Sequence, residues 1–273
     1  MSEALSTSEI DRIAGVMQQG PYEEYPSLEN RLFLGATGLQ VTDGTLFVPE
    51  GPWHVSDHMN RHDKSSEVLD PEVPGAGQLK VDQDLSDRWR NEGLLLDQYG
   101  RPIHPYWEQL LADERIGLPT GTGFFWRYGS NATVDPVVYR KAHEHDDPEL
   151  LLIKRLKGGR WALPGGFIDR GDASPAAAAR REAAEETHLE AIGGTDEVIL
   201  HKIPVGLRDT LHAWTENKVV LVHGNQEYLF DTEPYPGDDA TDVGWFRREQ
   251  IALLNIFDAH PEYIDLAYSR ILS

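Results

Sequence analysis

The spacing of apolar and polar residues changes along the chain and predicts different structures for its two parts. In the first hundred residues, Pro, Gly, Asp and His interrupt short apolar segments every few positions, a pattern typical of irregular structure with few long helices. Helical spacing is clearer in DLSDRWRNEG and YWEQLLADE, between residues 83 and 113. A passage rich in Gly, Thr and Asn follows, and we expect it to separate a domain of residues 1–125 from a domain of residues 126–273.

Beyond residue 135 the pattern becomes typical of β-strands. The candidate strands are PVVYRK, ELLLIKRL, WALPGGFI, EVILHKIPV, NKVVLVHG, QEYLFD and VGWF. One helix should begin at Ser174, which can cap the first amide groups, with Pro175 at the first helical position, and should end near Thr187. A second helix is expected over residues 249–271. Strands on both sides of an isolated helix predict an α/β sandwich with a mixed sheet.

Charge and composition exclude several classes of function. The chain has 46 Asp and Glu against 25 Lys and Arg, a formal net charge of -21, which opposes binding to nucleic acid. It has no Cys, which excludes disulfides, thiol nucleophiles and Cys-based metal sites. Neither a signal peptide nor an apolar run of about 18 residues is found. We expect a cytoplasmic protein, monomer or homodimer, that binds neither nucleic acid nor membrane.

Three carboxylates are concentrated within one turn of the helix predicted after Ser174. Glu182 and Glu186 are four residues apart and therefore lie on one face, with Glu185 beside them. Like charges at this spacing repel each other, and a divalent cation would relieve the repulsion. Oxygen ligands favour a hard ion, Mg2+ with Mn2+ as the alternative, and such ions also bind phosphate groups. A solvent-exposed acidic helix face is the other interpretation.

The segments GGFIDRGD and REAAEETHL resemble the Nudix box, in which Gly is followed after five residues by Glu and after seven more by REUxEExGU, where U is apolar. Two positions depart from this pattern. Asp172 stands in place of Glu, with one extra residue before Arg181, and His188 stands in place of Gly. The resemblance therefore assigns no metal role to Asp172.

Longer segments narrow the resemblance to one branch of the family. WALPGGFIDRGD, GTGFFWRYGSNATVDPVV, RDTLHAW and GDDATDVGW resemble the ADP-ribose pyrophosphatases and the related domain of ADP-ribose-gated channels, from about residue 93 to the end of the chain. The resemblance implies a Nudix-type α/β/α sandwich, plus a smaller irregular N-terminal α+β domain that covers the substrate cleft. It also implies Mg2+-dependent hydrolysis of the ADP-ribose diphosphate to AMP and ribose 5-phosphate.

The resemblance also implies roles for individual residues. The metal ligands would be Glu182, Glu185 and Glu186 with the backbone carbonyl of Gly166, and Arg181 would hold the carboxylates in place. The catalytic base stays open between a helical glutamate, Glu185 or Glu186, and two aspartates of a later loop. Those aspartates are Asp238 and Asp239, and Gly-Asp-Asp is also a sequence suited to a simple turn.

Substrate contacts are expected at polar residues on loops, for which local loop structure is the alternative role. The candidates are Arg127, Asn131, Asp135, Arg208 and Asp209. Several aromatic residues could stack on adenine or belong to the core. These are Phe124, Phe125, Trp126 and Trp214. The HEHDD segment is expected to be a hairpin turn.

Two alternative functions remain open. The same chemistry could act on another nucleoside diphosphate derivative, such as NADH, a dinucleoside polyphosphate or a nucleotide sugar, because the box recognises metal and diphosphate only. The chain could also be an ADP-ribose-binding module without turnover. Three complete carboxylates argue against this second alternative, since a pure binder does not need them.

Overall fold

The computed structural model describes residues 40–42, 45–47, 83–112, 121, 125, 127–143, 146–169, 171–206, 208–237 and 240–273. These residues form the strands β1 Gln40–Thr42, β2 Thr45–Phe47, β3 Leu96–Asp97, β4 Gly129–Arg140, β5 Glu149–Arg155, β6 Trp161–Ala162, β7 Gly166–Phe167, β8 Thr195–Lys202, β9 Ala213–His223 and β10 Ala240–Phe246. The helices are α1 Gln83–Asn91, α2 Trp107–Ala112, α3 Pro175–Thr187, α4 Gln226–Asp231, α5 Arg248–Ile251 and α6 His260–Ile271.

The chain divides into two compact units. The first comprises residues up to Asn131 together with Val205–Thr215, and the second comprises Ala132–Pro204 and Glu216–Ser273. In the first unit, β1 pairs with β2 antiparallel and β2 pairs with β3 in parallel. The division into domains at residue 125 stays a prediction.

The main sheet has the strand order β10-β5-β4-β9-β8, with the short strands β6 and β7 pairing with β5 and β4. Alternate residues of its central strands enter two separate cores, as the two-residue period of a strand requires. Leu151 packs with Ala179 and Ala183 of α3 on one face. Leu150 packs with Ile264 of α6 on the other face. The predicted α/β sandwich with a mixed sheet is confirmed.

Local signals predicted α3 correctly. The Ser174 hydroxyl accepts a hydrogen bond from the Ala177 N–H at 3.1 Å, Pro175 occupies the first turn, and the helix ends at Thr187. The segments predicted as helical between residues 83 and 113 contain α1 and α2. The HEHDD segment lies between the antiparallel strands β4 and β5, as expected for a hairpin, with residues 144–145 outside the described residues.

Other predicted elements were wrong. QEYLFD, predicted as a strand, is the helix α4, because the Asn225 side chain caps it by accepting a hydrogen bond from the Tyr228 N–H. WALPGGFI forms two short strands instead of one, separated by Leu163–Gly165. The predicted C-terminal helix is divided into α5 and α6 by residues 252–259. Across the described residues, no helix is both long and apolar enough to span a bilayer.

Candidate active site

Helix α3 presents the three glutamates on the second unit at different depths. Its alanines Ala178, Ala179 and Ala183 are fully buried in the core. Glu186 is 8% exposed. The side chain of Glu182 is 12% exposed and that of Glu185 is 46% exposed. The cluster therefore runs from the protein interior to the surface.

Arg181 connects these glutamates to the loop that precedes the helix. Its Nη1 donates to Glu182 Oε1 at 2.9 Å and to Glu185 Oε2 at 3.0 Å. Its Nη2 donates to the Phe167 carbonyl and to Asp172 Oδ2, both at 2.9 Å, and Nε donates to Asp172 Oδ1 at 3.2 Å. This forked arrangement uses all three nitrogens of the guanidinium, which only Arg can supply.

The same contacts explain the role of Asp172. The hydrogen bonds from Arg181 lower the pKa of Asp172, and the Asp169 N–H donates to its Oδ2 at 2.8 Å. The Asp172 carboxylate is thus committed to holding Arg181. In return, Asp172 and Glu182 raise the pKa of Arg181.

The electrostatic environment of Glu182 is strongly perturbed. Burial raises its pKa from 4.5 to about 7, although the positive charge and hydrogen bond of Arg181 oppose the rise. The negative charges of Glu185 and Asp169 add to it. Shifts of this kind are common at functional sites. Burying a carboxylate destabilises its charged form and therefore lowers the stability of the fold.

Two consecutive glycines allow the backbone to approach the carboxylates. The Gly165 N–H donates to Glu186 Oε2 at 2.8 Å. At Gly166, a Cβ atom would lie 2.6 Å from both carboxylate oxygens of Glu182. Any side chain at position 166 would therefore displace the buried carboxylate, so the close approach requires glycine.

The donors fit a hard divalent cation in kind. Four carboxylates lie around the Arg181 guanidinium: Asp169, Asp172, Glu182 and Glu185. The carboxylate of Glu186 is held separately by the Gly165 N–H. Within the described part of the chain, no three Asp, Glu or His side chains converge into a preformed metal cage. Arg181 Nη1 bridges Glu182 and Glu185 and supplies positive charge to the carboxylates. Because all the donors are oxygens, the set suits Mg2+ or Mn2+.

Asp135, a predicted substrate contact, lies in the second unit beneath the glycine turn. Its Oδ2 accepts a hydrogen bond from the Asn217 amide at 2.6 Å, and Asn217 accepts one from the Thr133 hydroxyl at 2.9 Å. His260 Nε2 is 3.8 Å from Asp135 Oδ1. The His260 Nδ1 accepts from the Leu163 N–H at 2.9 Å, and burial lowers the pKa of His260. These contacts tie Asp135 to the neighbouring strands.

The other predicted substrate contacts lie in the first unit. Arg127 is exposed and its Nε donates to the Ser130 carbonyl at 3.0 Å. Asn131 is 2% exposed, and its amide donates to the carbonyls of Arg127 and Gly129 at 3.1 Å. Arg208 is half-buried. Asn131 was expected on a loop but lies near the start of β4, as Asp135 does further along the same strand. Its hydrogen bonds are local ones, and Arg127 lies at the surface.

Asp209 is 1% exposed and accepts hydrogen bonds from the N–H groups of Gly206 at 2.7 Å and Thr215 at 3.3 Å. Burial raises its pKa. Two of the aromatic candidates, Phe125 and Trp214, are buried core residues. Four further candidates lie outside the described residues: Phe124, Trp126, Asp238 and Asp239.

Sequence reasoning missed two buried His–Asp pairs in the first unit. His212 Nε2 is 3.2 Å from Asp97 Oδ2, and His104 Nε2 is 3.7 Å from Asp209 Oδ2. All four side chains are at most 1% exposed. Their partners are far apart in sequence, so no motif marked them. The sequence carries one weak signal for them: Asp209 and His212 are polar residues of RDTLHAW, directly before the largely buried strand β9.

Residues 131–267 match the family described as the NUDIX domain, which is half of the 273-residue chain. The chain belongs to the Nudix family. The predicted family resemblance is confirmed.

Curated relatives of this Nudix chain are found in animals. A Caenorhabditis elegans protein named nudix hydrolase 6 is 29% identical over 61% of this chain and 62% of its own length. The mitochondrial ADP-ribose pyrophosphatase of Rattus norvegicus is 26% identical over 67% of this chain and 58% of its own length. The Nudix chain therefore spans about three fifths of the length of these two relatives.

Solved structures of Nudix proteins are similar to a smaller part of this chain than the curated relatives are. The NUDIX domain of Shewanella oneidensis NrtR, complexed with ADP ribose, is 23% identical, with a TM-score of 0.42 over 52% of this chain and 89% of that chain. A mutT/nudix family protein from Listeria innocua is 28% identical, with a TM-score of 0.39 over 52% of this chain and 93% of that chain. The family assignment rests on the sequence match.

Proposed function

We propose that this chain hydrolyses the diphosphate bond of ADP-ribose to AMP and ribose 5-phosphate with Mg2+, or Mn2+ as the alternative. The observation that carries the proposal is the carboxylate cluster of α3, held by Arg181 beside the Gly165–Gly166 turn. A diphosphate linkage carries negative charge, and a cluster of oxygen donors can bring a cation to it.

Glu182, Glu185 and Glu186, with the carbonyl of Gly166, would hold the cation. When bound, it would neutralise phosphoryl oxygens and lower the pKa of water. The protein's own contribution is orientation: Arg181 fixes Glu182 and Glu185 relative to each other, and the Gly165 N–H fixes Glu186. Fixed donors need no reorganisation during the reaction, which is how electrostatic preorganisation lowers a barrier.

A general base must reach the attacking water. Among the glutamates of α3, Glu185 is the most exposed, at 46%, and Glu186 already accepts a hydrogen bond from Gly165. This difference supports Glu185 as the base. Asp238 and Asp239 remain the alternatives.

The substrate is proposed from the relatives and from charge. One curated relative is named an ADP-ribose pyrophosphatase. Arg127 and Arg208 would supply cationic contacts that an anionic substrate requires on a chain with net charge -21. Asn131, Asp135 and Asp209 are the other proposed substrate contacts. We further propose a cytoplasmic monomer or homodimer that acts on a small molecule and does not bind nucleic acid. Another nucleoside diphosphate derivative is the alternative substrate, because the α3 cluster with its cation would contact only the diphosphate.

Product analysis tests this proposal. Purified protein is incubated with ADP-ribose and Mg2+, with EDTA in a parallel sample, and the products are separated by ion-exchange chromatography. We expect AMP and ribose 5-phosphate from the wild type with metal, and none from Glu182→Gln or Glu186→Gln. Glu190→Gln is the matched control, because Glu190 is exposed and follows the helix. Intact ADP-ribose in the wild-type sample, with turnover of NADH or a nucleotide sugar, would overturn the substrate.

A further inference from the structure

The last turn of α3 carries two of the proposed metal ligands, and its end is held by a segment distant in sequence. The final carbonyl groups of a helix have no partners within the helix. The Tyr235 N–H donates to the Thr187 carbonyl at 3.1 Å, and the Gly237 N–H donates to the Glu186 carbonyl at 3.0 Å. Residues 235–237 therefore provide the hydrogen bonds that the end of α3 lacks.

This segment approaches the helix as closely as a backbone can. A Cβ atom at Gly237 would lie 1.9 Å from the Glu185 carbonyl oxygen and 3.1 Å from the His188 ring. No side chain can be accommodated there, so glycine at position 237 is a requirement of the contact.

His188 is the residue that ends the helix, at the position where the Nudix box has Gly. Its backbone is left-handed, with φ 57° and ψ 22°, and its N–H donates to the Ala184 carbonyl at 2.8 Å. Gly adopts this conformation without strain, whereas a residue with a side chain does not. A histidine here therefore needs compensating contacts.

The ring of His188 makes two such contacts, both with Tyr235. The two rings are stacked, with centroids 4.0 Å apart and planes inclined by 16°. The His188 Nδ1 is 3.1 Å from the Tyr235 carbonyl oxygen. Because a carbonyl only accepts, Nδ1 carries the proton in this contact. We name this pair of contacts the His188–Tyr235 clasp.

We infer that His188 and Tyr235 are positioning residues, whose clasp holds the last turn of α3 so that Glu185 and Glu186 keep the arrangement the reaction needs. The inference rests on the proposed function. The helix end alone would be satisfied by a glycine at position 188, so the ring of His188 adds a constraint beyond capping. The segment that the clasp holds contacts both glutamates through the backbone, because the Gly237 N–H donates to the Glu186 carbonyl and Gly237 lies against the Glu185 carbonyl.

The test uses variants that remove one of the two rings without straining the backbone. His188→Gly keeps the left-handed conformation and loses the stacking, and Tyr235→Leu removes the partner ring. Tyr235→Phe keeps the ring and is the matched control. For each variant we would measure the exchange of the Tyr235 and Gly237 amide hydrogens, the affinity for Mn2+ alone, the melting temperature, and kcat and KM for ADP-ribose.

We expect His188→Gly and Tyr235→Leu to speed amide exchange, weaken Mn2+ binding and lower kcat, each by about tenfold, with KM and melting temperature nearly unchanged. The double variant should behave like either single variant, since both remove one clasp. Tyr235→Phe should match the wild type. Faster exchange with wild-type kcat and Mn2+ affinity would show a structural cap only, and multiplying effects in the double variant would show that the two rings act separately. Either result overturns the inference.

The proposed function can fail independently. If the wild type leaves ADP-ribose intact, the proposed substrate is wrong. The Mn2+ affinities of the variants then test by themselves whether the clasp positions the glutamates. Weaker Mn2+ binding in both ring variants would support it, and unchanged binding would overturn it.

Discussion

Replacing Glu182 with Gln is expected to stabilise the metal-free protein above neutral pH while abolishing its metal-dependent activity. The Glu182 side chain is 12% exposed, and burial raises its pKa to about 7 in spite of the opposing effect of Arg181. A pKa raised from 4.5 to about 7 makes the ionised carboxylate about 3 kcal/mol less favourable in the folded protein than in the unfolded chain. Glu182→Gln removes that cost and also weakens one hydrogen bond from Arg181, worth about 1–2 kcal/mol.

The sign follows from proton binding. Between pH 4.5 and about pH 7 the folded state keeps the Glu182 proton while the unfolded chain has released it. The stability of the wild type therefore falls as the pH rises through this window. The Glu182→Gln variant has no proton to lose there. We expect nearly equal stabilities near pH 5 and a variant that is about 1–2 kcal/mol more stable near pH 8.

Urea denaturation in EDTA, near pH 5 and near pH 8, measures both free energies of unfolding. Differences between variant and wild type cancel the titration of all other groups. Glu185→Gln is the matched control, because it removes a carboxylate of the same cluster that is 46% exposed. It should keep most of the pH dependence of the wild type, since burial of Glu182 is the main cause of the raised pKa and the charge of Glu185 a smaller one. A Glu182→Gln variant that is destabilised equally at both pH values would refute the reasoning. Adding Mg2+ near pH 8 should stabilise the wild type by mass action and leave Glu182→Gln unchanged.

Three further substitutions test other contacts. Arg181→Lys should lower kcat at least about tenfold, because an ammonium group cannot reproduce the forked hydrogen bonds, whereas Arg180→Lys on the same helix should stay within about twofold in the same assay. Gly166→Ala should weaken Mn2+ binding about tenfold in a calorimetric titration, because its Cβ would lie 2.6 Å from the buried carboxylate oxygens, and wild-type affinity would contradict the proposed ligand set. Burial alone would raise the pKa of Asp97, but the close approach of His212 and a neighbouring arginine outweigh it and lower the pKa below 3.8. The stability from Asp97 is thus present above pH 3.8 and lost as the pH falls below it, so Asp97→Asn should cost about 3 kcal/mol in urea denaturation near pH 7 and less near pH 3. An equal cost at both pH values would contradict the charge interaction.

The predictability of each element depended on how local its determinants are. Helix α3 could be predicted because a Ser cap and a first-turn Pro act within one turn of the chain. Helix α4 could not, because six residues with three apolar or aromatic side chains fit either period, and the deciding cap, Asn225, lies outside that run. The α/β class of the sheet could be predicted because its central strands carry apolar residues on both faces, so that helices must cover both sides.

In the candidate site, too, only features set by residues close in sequence could be predicted. The spacing of Glu182, Glu185 and Glu186 predicted one carboxylate face, and Arg181 was correctly placed beside them in sequence. The burial that raises the pKa of Glu182 depends on the close glycine turn, which is a tertiary contact. Likewise the His–Asp pairs of the first unit and the His188–Tyr235 clasp join segments that are distant in the chain. Periodicity and motif spacing report on neighbours along the chain and carry no information about such partners.

Burial separates the proposed substrate contacts into two kinds and gives the last prediction. Asn131 and Asp209 are 2% and 1% exposed. Asn131, near the start of β4, donates to nearby carbonyl groups, and Asp209 accepts hydrogen bonds from nearby N–H groups. Arg127 is exposed and Arg208 is half-buried. Arg127→Gln or Arg208→Gln should therefore raise KM about tenfold and leave the melting temperature nearly unchanged, because each removes a charge proposed to bind the substrate. Asp209→Asn should mainly lower the melting temperature, because the Asp209 carboxylate accepts hydrogen bonds from the N–H groups of Gly206 and Thr215. Thermal denaturation and steady-state kinetics on the same preparations distinguish the two classes. An Asp209→Asn variant with wild-type melting temperature and a raised KM would show that Asp209 contacts the substrate directly.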